Sequence, residues 1–168
     1  MLDADTDNAT CAAYTGRLPF EVYTPETWRS ASARPWTFVL IDAPARPSPD
    51  QLEALARSAD IIVTPTLTDA ASLRVLARTL PDLRRLSAPY RVLITRAPAR
   101  PSRDTERARV DLERGNVPTF ETVIPEAAVF RHAARLLTLA WDVPRVRGSH
   151  VRLAFESLAR EVMQHADA

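Results

Sequence analysis

Short apolar runs alternate along the chain with longer amphipathic segments. Residues 37–44 (Thr-Phe-Val-Leu-Ile-Asp-Ala-Pro) predict a buried strand that carries Asp42 to its C-terminal end. Four further runs predict strands: 19–23, 60–64, 90–95 and 120–124. The first and last of these are short, and 60–64 has the composition of a second buried strand.

The segments between these strands have the apolar spacing and end signals of helices. Thr24 and Pro25 open a short helix as its N-cap and first residue, and Asp69 is the predicted N-cap of a helix that runs to about Leu86. Pro81 lies inside that helix and predicts a kink or break near Thr79. The other predicted helices are Asp50–Ser58, Arg103–Arg114 closed by Gly115, about 127–137, and 149–165.

Strands that alternate with helices predict an α/β fold. We expect a single domain over 1–168, built as three layers, with a mostly parallel sheet covered by helices on both faces. Ligands of such sheets bind at the C-terminal ends of the strands, where Asp42, Thr64 and Thr95 emerge.

The composition of the chain excludes several classes of function. With 168 residues and 46% hydrophobic content the chain can bury a core, and its net charge of +1 excludes DNA binding by bulk charge. Cys11 is the only cysteine, so there is no intramolecular disulfide and no multi-cysteine metal site. No apolar run approaches the roughly 20 residues of a membrane span, and no export signal is visible, so we expect a cytoplasmic protein.

A carboxylate at a strand end is typical of magnesium sites in phosphate-handling proteins, yet the chain has no phosphate loop. A Walker A loop needs glycines for the phosphate oxygens and a lysine for the terminal phosphate. The only glycines are Gly16, Gly115 and Gly148, and all 22 basic residues are arginine. A Walker A lysine and a Schiff-base lysine are therefore both excluded.

Five segments, in order, resemble the ParA/MinD family of deviant-Walker partition ATPases, and particularly its short ParA-like members. Residues 2–10 are similar to the family's Asp-x-Asp segment, and Phe38–Pro44 is similar to its Walker B strand. The remaining three are Asp60–Pro65, Leu93–Arg96 and Glu121–Pro125. The resemblance implies a P-loop NTPase fold whose first βα unit is absent, so that a gap is expected beside the Asp42 strand.

The resemblance also implies roles for individual residues, with ATP and Mg²⁺ as cofactors. Asp5 is the residue that would orient the attacking water, and Asp42 the magnesium ligand. Asp3, Thr95, Arg96 and Pro125 are the matching cofactor-binding positions. Basic residues of the late helices would contact DNA phosphates without sequence specificity, and they are Arg131, Arg135, Arg145 and Arg147.

Simpler interpretations of these residues stay open. Asp42 is also suited to cap the turn ahead of Pro44, and Asp3, Asp5 and Asp7 to form a solvated acidic N-terminus. The arginines are also suited to a solvated helix face paired with glutamates. Cys11 is predicted to be a small buried apolar residue on the first helix.

The leading hypothesis is a ParA/MinD-like partition homologue without Walker A, which acts as an interaction or regulatory protein and does not hydrolyse ATP on its own. We expect it to pair with itself or with an intact ParA-like protein, and to bind neither ATP nor Mg²⁺ alone. One alternative is an N-terminally truncated partition ATPase. A weaker alternative is a DNA-binding accessory module.

Overall fold

A computed structural model describes residues 1–8, 10–98, 100, 102–143 and 149–166 of the chain. It divides into two compact units. Unit 1 comprises Met1–Ser48 and Val129–Val146, and unit 2 comprises Pro49–Ala128 and Arg147–Ala168. The strands are β1 (Leu2–Asp3), β2 (Ile41–Asp42), β3 (Ile62–Thr66) and β4 (Tyr90–Ile94). The α-helices are α1 (Pro25–Ala31), α2 (Pro49–Ser58), α3 (Ala70–Arg85), α4 (Arg103–Arg114), α5 (Ala128–Leu136) and α6 (Ser149–Ala166).

In unit 1, β1 lies between Tyr23 and β2. It pairs in parallel with β2, and an isolated parallel bridge joins Leu2 to Tyr23. The rings of Tyr23, Trp28 and Trp36 pack together with centroids 5.8–6.1 Å apart. The Arg34 guanidinium lies 4.4 Å above the Trp36 ring, which is a favourable cation–π contact. This aromatic cluster supports the β1 side of the sheet.

In unit 2, β3 pairs in parallel with β4 over five residues, from Ile62–Tyr90 to Thr66–Ile94. The segment 119–125 runs along the other side of β4, to which it is joined by the bridges Val92–Thr119 and Ala97–Pro125. Helices α3 and α4 supply the apolar side chains that cover β4. The main buried cluster comprises Leu76, Leu80, Val92, Ile94, Ala97, Ala108 and Leu112.

The predicted three-layer, mostly parallel sheet is wrong. The described strands form two separate two-stranded parallel sheets, β1–β2 and β3–β4, accompanied by six α-helices. The run 37–44, expected to be a buried strand, is paired only at Ile41–Asp42, and Phe38 is 64% exposed. An apolar run favours an extended segment, but it does not supply the neighbouring strand or the covering layer that burial requires.

The shorter strands also differ from their predicted form. Neither 19–23 nor 120–124 forms a named strand. The first contributes one isolated bridge, at Tyr23, and the second is flanked by isolated bridges at Thr119 and Pro125. The strand predicted at 60–64 lies two residues later, at Ile62–Thr66, and is only partly buried.

The helices form close to where their local signals placed them. Asp69 caps α3, since its Oδ1 accepts hydrogen bonds from the N–H groups of Ala71 and Ser72. Pro81 does not break α3, which continues to Arg85. After α4 it is Asn116, and not Gly115, that adopts the left-handed conformation, with φ of 49°. No helix in the described parts of the chain is both long and apolar enough to cross a bilayer.

Candidate functional site

Asp3 and Asp42 are neighbours at the ends of two paired strands. The parallel register sets Leu2 beside Ile41 and Asp3 beside Asp42. Because parallel strands present their C-terminal ends at the same edge, both carboxylates belong to one edge of the sheet in unit 1. The predicted magnesium ligand, Asp42, and the predicted cofactor-binding residue Asp3 are therefore brought together.

The Asp3 side chain is almost entirely buried, with only 3% of its surface exposed. Its Oδ2 accepts the N–H of Ala12 at 2.8 Å. Its Oδ1 is buried and has no hydrogen-bond partner among the described residues. An unsatisfied buried polar atom costs about 1–3 kcal/mol, so this oxygen is a place where a donor or a cation would lower the free energy. A solvated acidic N-terminus is thus the wrong interpretation of Asp3.

Asp42 accepts a hydrogen bond from the only cysteine. The Cys11 thiol donates to Asp42 Oδ2 at 3.0 Å, from a 3₁₀ helix at Cys11–Tyr14. Burial, followed by this hydrogen bond and the nearby negative charges, raises the pKa of Cys11 to about 12. The thiol therefore stays protonated at neutral pH and acts as a donor. The expectation of a merely apolar Cys11 missed this, because nothing in the local sequence links residue 11 to residue 42.

Asp5, the predicted water-orienting residue, is engaged in a local turn. Its Oδ2 accepts the side-chain amide of Asn8 at 2.8 Å, and its Oδ1 accepts the Asn8 backbone N–H at 3.3 Å. This arrangement is typical of an Asp that stabilises a turn. Asp7 is exposed. The catalytic role of Asp5 stays a prediction.

The residues at the strand ends suit a hard cation better than they suit ATP. Mg²⁺ is commonly bound through one or two carboxylates together with phosphate oxygens and water, and Asp3 and Asp42 supply that number. No group of three or more potential metal-binding side chains occurs among the described residues. For the phosphates, unit 1 has a single glycine in 1–48, Gly16, and no lysine. The residue types of Asp3 and Asp42 are therefore compatible with Mg²⁺, while the binding of Mg²⁺ and of ATP stays a prediction.

A second group of predicted positions meets in unit 2, at the C-terminal end of β4. Ala97 pairs with Pro125, which brings Thr95 and Arg96 close to the segment after Glu121. The Thr95 hydroxyl donates to the Thr66 carbonyl at 3.2 Å. Arg96 adopts a left-handed φ of 52°, and its guanidinium lies 3.4 Å from Glu126 Oε1. Thr95, Arg96 and Pro125 are thus gathered together, while their role towards a cofactor stays a prediction.

The predicted DNA-contacting arginines are described only in part. Arg131 and Arg135 lie one turn apart on α5, and both are exposed. Neither forms an ion pair within the described residues. Arg145 and Arg147 lie outside the residues that the structure describes. The DNA-binding role therefore stays a prediction that rests on two residues.

The apolar segment that leads into β2 is exposed and not buried as predicted, and it lies where the resemblance implied a gap beside the Asp42 strand. We call Phe38–Ile41 the open edge of β2. The exposed fractions of its four side chains are 64%, 41%, 63% and 36%. Four consecutive exposed apolar residues are unusual on a protein surface that has no partner.

The backbone of the open edge also lacks a neighbour. The carbonyls of Leu40 and Asp42 face β1, where they accept the N–H groups of Leu2 and Ala4 at 2.7 and 2.8 Å. Successive residues of a strand direct their backbone groups to opposite sides, so Ile41, and Val39 two residues earlier, direct theirs away from β1. Within the described residues no strand pairs on that side.

Comparisons with known proteins add no relative. No protein-family model matches the chain. No curated protein matches it either.

Proposed function

We propose that this chain is a ParA/MinD-like partition homologue without a Walker A loop, and that it acts as an interaction or regulatory protein of the cytoplasm. Two observations support the relationship. The five family-like segments occur in the family's order, and the acids of the first two, Asp3 and Asp42, lie side by side in a parallel pair. The lack of lysine and of a glycine-rich loop argues against ATP hydrolysis by the chain alone.

The observation that carries the proposal is the open edge of β2. It joins exposed apolar side chains to unpaired backbone groups, and this combination is the one that accepts an added strand. The open edge ends next to Asp42, so a protein bound there would lie beside the carboxylates of Asp3 and Asp42. Binding at the open edge would thus be coupled to the Mg²⁺-compatible site.

The partner is either a second copy of the chain or an intact ParA-like ATPase. With the ATPase, the chain would act by changing the rate at which its partner hydrolyses ATP. The two cases share the same surface, and only the ATPase brings a phosphate-binding loop.

The test is an ATPase assay on the purified chain, alone and mixed with a ParA-type ATPase that has an intact Walker A loop and comes from the same organism. We expect no turnover from the chain alone, and a changed turnover of the ATPase when the chain is added. The variant Val39→Asp places a charge on the open edge and should abolish the change. Val75→Asp is the matched control, since Val75 is 52% exposed on α3 in unit 2.

Two results would contradict the proposal. One is ATP hydrolysis by the chain alone that is lost in Asp5→Asn or Asp42→Asn, since this would make it an ATPase. The other is a chain that neither self-associates nor changes the ATPase rate, or a change in that rate that Val39→Asp and Val75→Asp alter equally.

A further inference from the structure

We infer that the open edge of β2 is the interface of a twofold dimer, in which the β2 segments of two copies pair in antiparallel fashion about Leu40. The inference rests on the proposed interaction role and names the partner as a second copy of this chain. It describes a direct contact between strand edges, which needs no bound nucleotide.

The unpaired backbone groups of the open edge determine the register in which the two β2 segments pair. Ile41 directs its N–H and C=O groups away from β1, and Val39 does the same in a β2 that is lengthened to residue 39, so these two residues supply the hydrogen bonds to the added strand. In a twofold antiparallel pair, Val39 then lies opposite the partner's Ile41. Leu40 lies opposite the partner's Leu40 at the twofold axis, as a pair without hydrogen bonds between its members.

The side chains are self-complementary in this register. The cross-strand neighbours are Val39 with the partner's Ile41 and Leu40 with the partner's Leu40, and all of these are apolar and at least 36% exposed in the single chain. Apolar pairs across an antiparallel ladder each contribute roughly 0.2–1 kcal/mol beyond an alanine pair. The pairing therefore covers the residues whose exposure is otherwise unexplained.

Charge selects the antiparallel orientation. Asp42 is the only charged residue in 35–45. In an in-register parallel pair, Asp42 would lie opposite the partner's Asp42, which is unfavourable for two like charges. In the antiparallel pair it lies opposite the partner's Phe38, and the two Asp42 carboxylates are at opposite ends of the ladder.

The number of free strand edges in unit 1 favours a dimer over a longer assembly. The other side of β1 is already paired with Tyr23, so each copy offers only one free strand edge in the described part of unit 1. A twofold contact between two such edges uses both and leaves no free strand edge in the described part of unit 1 for a third copy.

Disulfide crosslinking tests the register directly. Opposed residues without mutual hydrogen bonds have Cα atoms about 4.5 Å apart, within the range of a disulfide. We expect Leu40→Cys, in a Cys11→Ser background, to form covalent dimers under mild oxidation. Phe38→Cys in the same background is the matched control, because Leu40 and Phe38 are 63% and 64% exposed. In the proposed register Phe38 lies four residues from the partner's Phe38, about 13 Å along the strand, so it should not crosslink.

The unmodified chain provides a second measurement that needs no substitution. Light scattering at micromolar concentration should give twice the 18.7 kDa of one chain. A mass of one chain, or equal crosslinking of the two cysteine variants, or crosslinking of neither, would overturn the inference. If the chain is monomeric and yet changes the rate of a ParA-type ATPase, the second-copy inference fails while the proposed function stands.

Discussion

The Asp3 carboxylate has one satisfied oxygen and one unsatisfied oxygen in a place almost closed to water. Oδ2 is held by the Ala12 N–H, and Oδ1 has no partner among the described residues. A buried charge of this kind is destabilising unless it gains a hydrogen bond or a counter-ion. The neighbouring carboxylate of Asp42 has an oxygen engaged by the Cys11 thiol, which cannot neutralise either charge. A divalent cation shared by the two acids would do so.

The resemblance implied no Mg²⁺ binding by the chain alone, but the unsatisfied Asp3 Oδ1 predicts that added Mg²⁺ stabilises the folded chain through Asp3. A site with a Kd of about 1 mM would raise the free energy of unfolding by about 1.4 kcal/mol in about 10 mM Mg²⁺. Asp3→Asn should remove this increase, because the amide keeps the size of the side chain but loses its charge. The measurement is urea unfolding with and without Mg²⁺.

Asp7→Asn is the control for this experiment, since Asp7 is an exposed acid of the same segment. It should leave the Mg²⁺ effect unchanged. A stability that does not respond to Mg²⁺, or one that responds equally in wild type and Asp3→Asn, would show that the unsatisfied oxygen is not a cation ligand.

The identity of the acidic residues could be predicted from the sequence, but their environment could not. Asp42 was singled out as a carboxylate at the end of an apolar run, and Asp3 through the family resemblance of the N-terminal segment. The burial of Asp3 depends on the parallel pairing of residues 2–3 with 41–42, which is almost forty residues away in sequence. The Cys11–Asp42 hydrogen bond depends on the same pairing.

At the scale of elements, helices were predicted better than strands, and the reason is physical. The bounds of α4 match the prediction, and α3 begins after its predicted cap, because N-caps and apolar periodicity act within a few residues. A strand is defined by its neighbour, so the run 37–44 could be identified as apolar but not as exposed. The wrong prediction for this run is also what reveals the open edge.

The Glu161 carboxylate joins helix α6 to the segment 119–125, which follows α4. Glu161 accepts the backbone N–H groups of Glu121 and Thr122 at 2.7 and 2.8 Å, together with the Thr122 hydroxyl. Burial alone would raise the pKa of Glu161, but these hydrogen bonds and the charge of His165 outweigh it and lower the pKa below the usual value for glutamate. The charged form of Glu161 is therefore the one that stabilises the contact.

The stabilisation from Glu161 should be present at neutral pH and lost in acid. A group whose folded pKa is depressed contributes its stability above the unfolded pKa, near 4.5, and loses it as the pH falls through the lower folded pKa. Glu161→Gln should lower the free energy of unfolding at pH 7, since a neutral amide cannot replace the carboxylate at both N–H groups. This difference from wild type should shrink steadily below about pH 4.5.

Glu156→Gln is the matched control on the same helix. Its partner is Arg152, at 2.8 Å on an exposed face, and such a pair contributes only about 0.3–0.5 kcal/mol. Urea unfolding of the three proteins between pH 7 and pH 3 makes the comparison. A Glu161→Gln deficit that persists unchanged in acid, or one no larger than that of Glu156→Gln at pH 7, would contradict the role of Glu161.

At the scale of the whole molecule, the two units differ in how much apolar volume they bury. Among the described residues, the largest fully buried side chains all lie in unit 2, and they are Phe120, Leu83, Ile94, Val92 and Val151. The described buried apolar residues of unit 1 are valines and alanines only: Ala31, Val129, Ala133 and Val143. Complete burial of a large apolar side chain stabilises by about 1.5–3 kcal/mol, so unit 2 should be the more stable unit.

The tryptophans make this difference measurable, because Trp28, Trp36 and Trp141 all belong to unit 1. Four of the six helices, α2, α3, α4 and α6, belong to unit 2 and dominate the circular dichroism. In a urea titration at fixed protein concentration, we expect the fluorescence transition to occur at lower urea than the circular dichroism transition. A Tyr90→Trp variant, which places a reporter on β4, should add a fluorescence phase that coincides with the circular dichroism. Coincidence of all the transitions would mean that the chain unfolds in a single step, and that the small core of unit 1 is as stable as that of unit 2.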